Sequence, residues 1–165
     1  PVLGVVCAPL APDDRGDLIA WAEGAELTRN SRPVREAPTG DPMVLATNAA
    51  ALGDARHAHE TLPGIRVRAI PSPAYGLALA AVGEVDASAS LDATLAPREI
   101  AGVHALLIGA GRRLVKLSGR PIDYGRSSLR GCIGGTSGAV AELVALSPRP
   151  GTPEHRRGAR PGRTV

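Results

Sequence analysis

Apolar residues in this chain fall into short runs separated by clusters of proline, glycine and aspartate. Pro1 to Pro9 is short, apolar and β-branched, which predicts a buried strand. Pro12 to Gly16 has turn composition, and Asp17 to Glu23 predicts the returning strand of a hairpin. Leu27 to Arg35 predicts another short strand around Asn30-Ser31, and Ala37 to Pro42, with two prolines and a glycine, reads as a linker. From Met43 the pattern alternates. Strands are predicted over Met43 to Thr47, Ile65 to Ile70, Val85 to Leu91, Leu114 to Leu117 and Cys132-Ile133. Helices are predicted over Asp54 to Thr61, Ala74 to Val82, Pro97 to Ala110 and Ser137 to Leu146. The Ala74 to Val82 segment is apolar all round, the mark of a buried helix. Pro97 suits a helical first turn.

Strands alternating with helices argue for an α/β protein, a layered α/β sandwich with a mixed sheet. The first forty residues predict an incomplete antiparallel portion at the amino end. A lone hairpin is marginal in water, so these strands are expected to belong to a larger sheet whose other strands are absent from this sequence. Two segments follow: residues 1–148 as one folded unit, and residues 149–165 as a basic, disordered tail rich in proline, glycine and arginine.

Composition sharpens this in three ways. The chain has 165 residues, 44% hydrophobic, yet only 2% aromatic and no phenylalanine. Its core must therefore be built from Ala, Val, Leu and Ile, which bury less area each. The net charge of +3 is misleading, because the tail carries five arginines against one glutamate. Residues 1–148 thus sum to −1, and no basic excess suggests a nucleic-acid partner. Two cysteines, Cys7 and Cys132, do not make a disulfide scaffold, so a reduced cytoplasmic setting is expected. No apolar run is long enough to span a membrane, and no signal peptide is visible. The start at Pro1, directly in a strand-like run, reads as that of an excised piece or of a chain that has lost its initiator methionine.

Common chemical motifs fail on spacing. The glycine-rich stretch Gly131 to Gly138 lacks the lysine of a phosphate loop and the order of a dinucleotide site, so a tight turn is expected. His57 and His59 are two apart and face different ways on a helix, with no completing zinc ligand. His104 lies in an apolar helix and is read as packed or hydrogen-bonded. Cys132 and Ser137 have no sequence neighbour that would activate a nucleophile.

Three stretches carry a resemblance. They are Ser72 to Ala87 (Ser-Pro-Ala-Tyr-Gly-Leu-Ala-Leu-Ala-Ala-Val-Gly-Glu-Val-Asp-Ala), Arg98 to Leu107, and Gly111 to Gly125. Together with the opening Pro1 to Pro9 run and Gly134 to Leu143, their order resembles the carboxyl half of the inositol monophosphatase family of magnesium-dependent phosphatases. The resemblance runs from Pro1 to about Leu146. It implies phosphomonoester hydrolysis with Mg2+, a metal-bound water as nucleophile, and a small phosphorylated polyol or nucleotide as substrate. The family's upstream Glu-Glu ligands and its Asp-Pro-Ile-Asp-Gly-Thr loop have no counterpart in this sequence.

The resemblance aligns Glu99 with a family metal ligand, where the family has Trp-Asp and this chain has Arg98-Glu99. The extra methylene moves the carboxylate by more than ~1 Å, against a tolerance of about 0.2 Å for metal sites. The alternative for Glu99 is a first-turn acid that complements the helix dipole. Asp92 matches a carboxylate that contacts substrate hydroxyls, or is a loop residue after a strand. Ser72 matches a serine near the substrate, and is equally an ordinary helix N-cap. Thr47-Asn48 stands where the family often has a ligand-facing serine, or is simply a strand-to-helix loop. A two-metal phosphatase needs a cluster of carboxylates, so this chain alone is expected to be inactive. The alternative is a non-catalytic binding or interaction module. The exposed hairpin edge also makes pairing with another chain, including a homo-dimer, an expectation.

Overall fold

The structure is a computed structural model that describes residues 1–35, 40–48 and 62–146, with backbone alone at 92–94. The expected helix at 54–61, His57, His59 and the tail lie outside the described residues, as do residues 37–39 of the 37–42 linker.

The amino end folds as predicted into antiparallel strands, β1 (Leu3–Ala8) and β2 (Asp17–Ala22), paired from Leu3↔Ala22 to Ala8↔Asp17, but β1 is not the buried strand expected: Gly4 is buried against a helix while Leu3, Val5 and Cys7, on the other face, are exposed. The single strand expected over Leu27 to Arg35 is instead two, β3 (Thr28–Arg29) and β4 (Arg32–Pro33). The reason is local. Asn30 and Ser31 both adopt positive φ, 48° and 62°, the geometry of a type I′ hairpin turn. Asn30 fixes it by accepting from the Leu18 amide at 2.8 Å through Oδ1.

A second sheet of five strands has the order β6-β5-β7-β9-β8. Here β5 is Val44–Thr47, β6 Arg66–Ala69, β7 Ala87–Leu95, β8 Arg113–Lys116 and β9 Leu129–Gly135. β5 runs parallel to β6 and β7, while β9 is antiparallel to β7 and β8, so the sheet is mixed. Three helices accompany it: α1 (Pro73–Val82), α2 (Pro97–Gly109) and α3 (Ser137–Leu146).

Helices α1 and α2 sit between the two sheets, and α3 covers the far face of the five-stranded one. The central core joins Ile19 of the first sheet, Leu77, Leu79, Leu106 and Leu107 of the helices, and Leu114 of the second sheet. The outer core packs Leu45, Val115 and Ile133 against Val140 and Leu143 of α3. This is the layered α/β sandwich expected, and α1 is buried from Gly76 through Val82 as its all-round apolarity demanded.

Two glycines explain how close the layers come. A Cβ on Gly4 of β1 would stand 1.9 Å from the Gly102 carbonyl oxygen of α2, so strand and helix backbones meet directly. A Cβ on Gly134 would stand 2.6 Å from Leu77 and 2.8 Å from Leu107. That corrects the tight turn expected over 131–138: Gly131 to Gly135 belong to β9, and Gly134 lets two helices lie on the strand.

Candidate functional site

The three parallel strands β5, β6 and β7 deliver the chain to one edge of the five-stranded sheet. Thr47 ends β5 and lies level with Ala69 of β6 and Ala89 of β7. Just past β6, Ser72 starts α1, and just past β7, Ala96 starts α2. Open α/β sheets take ligands beyond the carboxyl ends of their strands. Thr47, Ser72, Asp92 and Glu99 all belong to that edge, although they come from four separate stretches of sequence.

Their side chains serve different ends. Ser72 is the N-cap of α1, its Oγ accepting from the Tyr75 amide at 3.3 Å. Glu99 Oε2 accepts from the Ala96 amide at 2.7 Å, half of a capping box, since Ala96 has no side-chain oxygen to return the bond. The first-turn role foreseen for Glu99 is therefore filled. Thr47 is 2% exposed and its Oγ1 has no hydrogen-bond partner. Strand alternation puts Thr47 on the face of Leu45, toward α3, whereas Ser72 caps a helix on the opposite face. The edge unites their backbones, with the Ile70 amide donating to the Thr47 carbonyl at 2.9 Å, rather than their side chains. Asp92 lies within β7, where the register with β9 shifts between Ser90 and Thr94, so the strand continues past the loop expected at that point. Its side chain lies outside the described residues.

A larger polar constellation stands nearby. The Asp17 carboxylate, fully buried, takes a two-pronged bond from Arg29 at 2.8 Å each and a third from the Tyr75 hydroxyl at 3.0 Å. Arg29 also bonds Glu84, which takes Arg68 at 3.2 Å. The Asp17 bond, opposed by burial and aided by Glu84, holds Arg29 charged well beyond its ordinary range. Burial and then the Asp17 bond push the Tyr75 hydroxyl up to about 12. These five residues link β2 and β3 to α1, to the residue that follows its cap, and to β6. They lie in five different stretches of sequence, so no motif signals them. Asp86, also buried, accepts from the Gly40 and Val44 amides at 2.8 and 2.7 Å and fixes the entry to β5.

On α2, His104 Nδ1 lies 2.7 Å from the Tyr124 hydroxyl with the rings stacked, the packed and hydrogen-bonded histidine expected. Burial lowers its pKa and raises that of Tyr124 to about 12. Cys132 is buried, its thiol pushed up to about 12, which makes it inert, while Cys7 is exposed. Among the described residues no three His, Cys, Asp or Glu side chains are grouped to hold a metal ion. Magnesium requires several oxygen donors in near-octahedral array. Of the described carboxylates near the strand ends, Asp17 and Glu84 belong to an ion-pair network, Asp86 to a strand entry and Glu99 to a helix cap, and they do not fit that ion by themselves.

The layers and the strand-end site define an open α/β sandwich. The particular fold is the inositol monophosphatase-like one. The chain matches the staphylococcal IMPase-II structure at TM-score 0.71 and 20% identity, over 89% of this chain and 56% of that one. It matches the Thermotoga maritima IMPase at 0.69 and 20%, over 88% and 55%. For the SuhB protein of Bartonella henselae the values are 0.68 and 19%, over 90% and 57%. Staphylococcal IMPase-II also matches in forms bound to inositol monophosphate and to 2′AMP. The chain thus spans little more than half the length of these structures. No protein-family model matches the sequence, and no curated protein matches it. No described helix is long and apolar enough to cross a membrane.

Proposed function

We propose that the chain is the substrate-side portion of a magnesium-dependent phosphomonoesterase acting on a small phosphorylated polyol or nucleotide. What carries the reading is the match of 79% to 89% of the chain to staphylococcal IMPase-II structures, two of them holding phosphorylated ligands. In this reading Ser72, Thr47 and Asp92 line the substrate edge, Glu99 is the one carboxylate aligned with a family metal ligand, and the remaining ligands come from polypeptide not in this sequence. Alone, the chain binds substrate weakly and does not hydrolyse it. Amide chemical shifts recorded while inositol monophosphate or 2′-AMP is added test the binding. Changes gathered at 47–48, 70–76 and 91–99 support it, and an unmoved spectrum at about ten millimolar ligand, weaker than ordinary enzyme affinities, refutes it. Phosphate release by the isolated chain that vanishes in Glu99→Ala would refute the inactivity.

The second reading is a non-catalytic binding module, favoured by the Glu99 carboxylate bonding its own helix. The reading frame ahead of Pro1 separates the two. An in-frame Asp-Pro-x-Asp-Gly-Thr segment supports the enzyme, and a frame without one supports the module.

A further inference from the structure

The chain passes from β6 to α1 through Pro71-Ser72-Pro73. A proline on either side fixes φ there, and a residue ahead of proline is driven to extended backbone. Ser72 follows the rule, at φ −92° and ψ 116°. The segment is therefore stiff, and whatever holds its two ends decides where Ser72 stands.

The five-stranded sheet holds the amino end, where the Ile70 amide donates to the Thr47 carbonyl at 2.9 Å. The carboxyl end is the first turn of α1. That turn closes on Ser72 twice, the Tyr75 amide donating to its Oγ at 3.3 Å and the Gly76 amide to its carbonyl at 2.9 Å. Full burial of α1 begins only at Gly76, so the core grips the helix beyond the turn. Tyr75 supplies the turn's side-chain bond to another element. Its hydroxyl donates to Asp17 Oδ2 at 3.0 Å, on β2 of the other sheet. Asp17 is a fixed anchor, because its side chain is fully buried and Arg29 grips both of its oxygens at 2.8 Å. One tyrosine thus touches Ser72 through its amide and the four-stranded sheet through its hydroxyl.

We infer that Tyr75 is a positioning residue: its bond to Asp17 braces the first turn of α1 against the four-stranded sheet and so fixes how Ser72 meets the phosphorylated ligand that the proposed function, on which this step rests, puts at that edge. The brace makes the far sheet part of the binding edge without touching ligand. A hydroxyl that merely satisfied Asp17 would add stability and leave the Ser72 turn unchanged, so the two roles are separable by measurement.

Three forms of the full chain are compared. Tyr75→Phe keeps the ring and loses the bond. Ile19→Val trims a buried residue of β2, away from the edge, and weakens the fold without touching the brace. Hydrogen exchange at the Gly76 amide is read against exchange at the amides of β9, which reports the global loss in either variant. Inositol monophosphate affinity is followed by the amide shifts at 70–76. In Tyr75→Phe the Gly76 amide should speed up by about tenfold beyond any change in β9, and affinity should fall by roughly tenfold, the upper range of one hydrogen bond. Ile19→Val should show no excess at Gly76 and keep the wild-type affinity. Equal responses of Gly76 in the two variants overturn the inference. So does an excess at Gly76 with unaltered affinity, because the turn would then not bear on the ligand. A wild-type spectrum unmoved by inositol monophosphate refutes the proposed function, and the brace is then decided by Gly76 exchange, which involves no ligand.

Discussion

The two sheets solve the same problem to different degrees. The five-stranded sheet has helices on both faces and cationic residues on both edges. Among the described residues the four-stranded sheet has helices on one face only, and just one of its edges, the short β4 with Arg32 and Pro33, carries a residue that discourages pairing. Apolar residues are distributed accordingly. Leu45, Val115 and Ile133 of the enclosed sheet are each at most 4% exposed, while Leu3, Val5 and Leu18 of the open one are between 43% and 61% exposed. The difference teaches that the open sheet owes its order to what lies beneath it: the Gly4–Gly102 crossing, Ile19 in the central core, and the Asp17 network. Its stability is borrowed through a few contacts, and each can be cut.

The deepest cut is Arg29→Ala. It leaves the buried Asp17 carboxylate without its cation, which typically costs about 3–5 kcal/mol. Urea denaturation should show that loss. A change under about 1 kcal/mol, the worth of a surface pair, would mean that the open sheet does not depend on the network. Next is Gly4→Val. The new Cβ meets backbone, which cannot rotate away, so a loss of about 3 kcal/mol is expected at the upper end of overpacking. Gly138→Ala in α3 is the control: nothing lies within 4 Å of its Cβ, so stability should hold or rise by about 0.5 kcal/mol. Equal effects from the two substitutions would erase the distinction between a backbone crossing and open surface.

What could be read from the sequence follows the same division. Period and apolarity located most of the described strands and helices to within a few residues, because the burial of α1 is written in contiguous residues, whereas β1 is equally apolar in sequence and buries only one face. The Asn30-Ser31 turn escaped because polar residues flanked by short strands do not announce positive φ. Gly134 of β9 escaped because its reason lies in Leu77 and Leu107, more than twenty residues away in sequence. The candidate site was legible only through resemblance, since Ser72 and Glu99 as local signals spell caps. The Asp17–Arg29–Tyr75–Glu84–Arg68 network was invisible for a simpler reason: five ordinary residues scattered between positions 17 and 84 acquire meaning only when two sheets and a helix converge.

Smaller effects test the two helices that join the sheets. Tyr75→Phe removes one bond to Asp17 but leaves both Arg29 bonds, so a loss of about 1–2 kcal/mol is expected. Glu99→Gln keeps an oxygen for the Ala96 amide but gives up the charge at the helix start, and should cost about 0.3–1 kcal/mol. Calorimetry on the same variant bears on the metal. A tight magnesium heat in wild type that disappears in Glu99→Gln would show that the cap is not the residue's main employment.

The smallest effect, and the most selective, is titration of His104. Burial lowers its pKa in the folded chain below the ordinary 6.5. The unfolded chain therefore binds a proton at pH values where the folded chain does not. Stability from this source is complete above 6.5, declines as pH falls through that value toward the folded pKa, and stays constant below it. His104→Gln keeps a polar group near the Tyr124 hydroxyl and cannot titrate. Urea midpoints at about pH 8 and about pH 5.5, chosen to straddle the ordinary histidine range, should fall for wild type more than for the variant. Carboxylates titrate alike in both proteins, so the difference isolates the imidazole. If the two fall in parallel, α2 holds His104 loosely enough to hydrate on protonation, and the Tyr124 contact is surface decoration rather than part of the layer between the sheets.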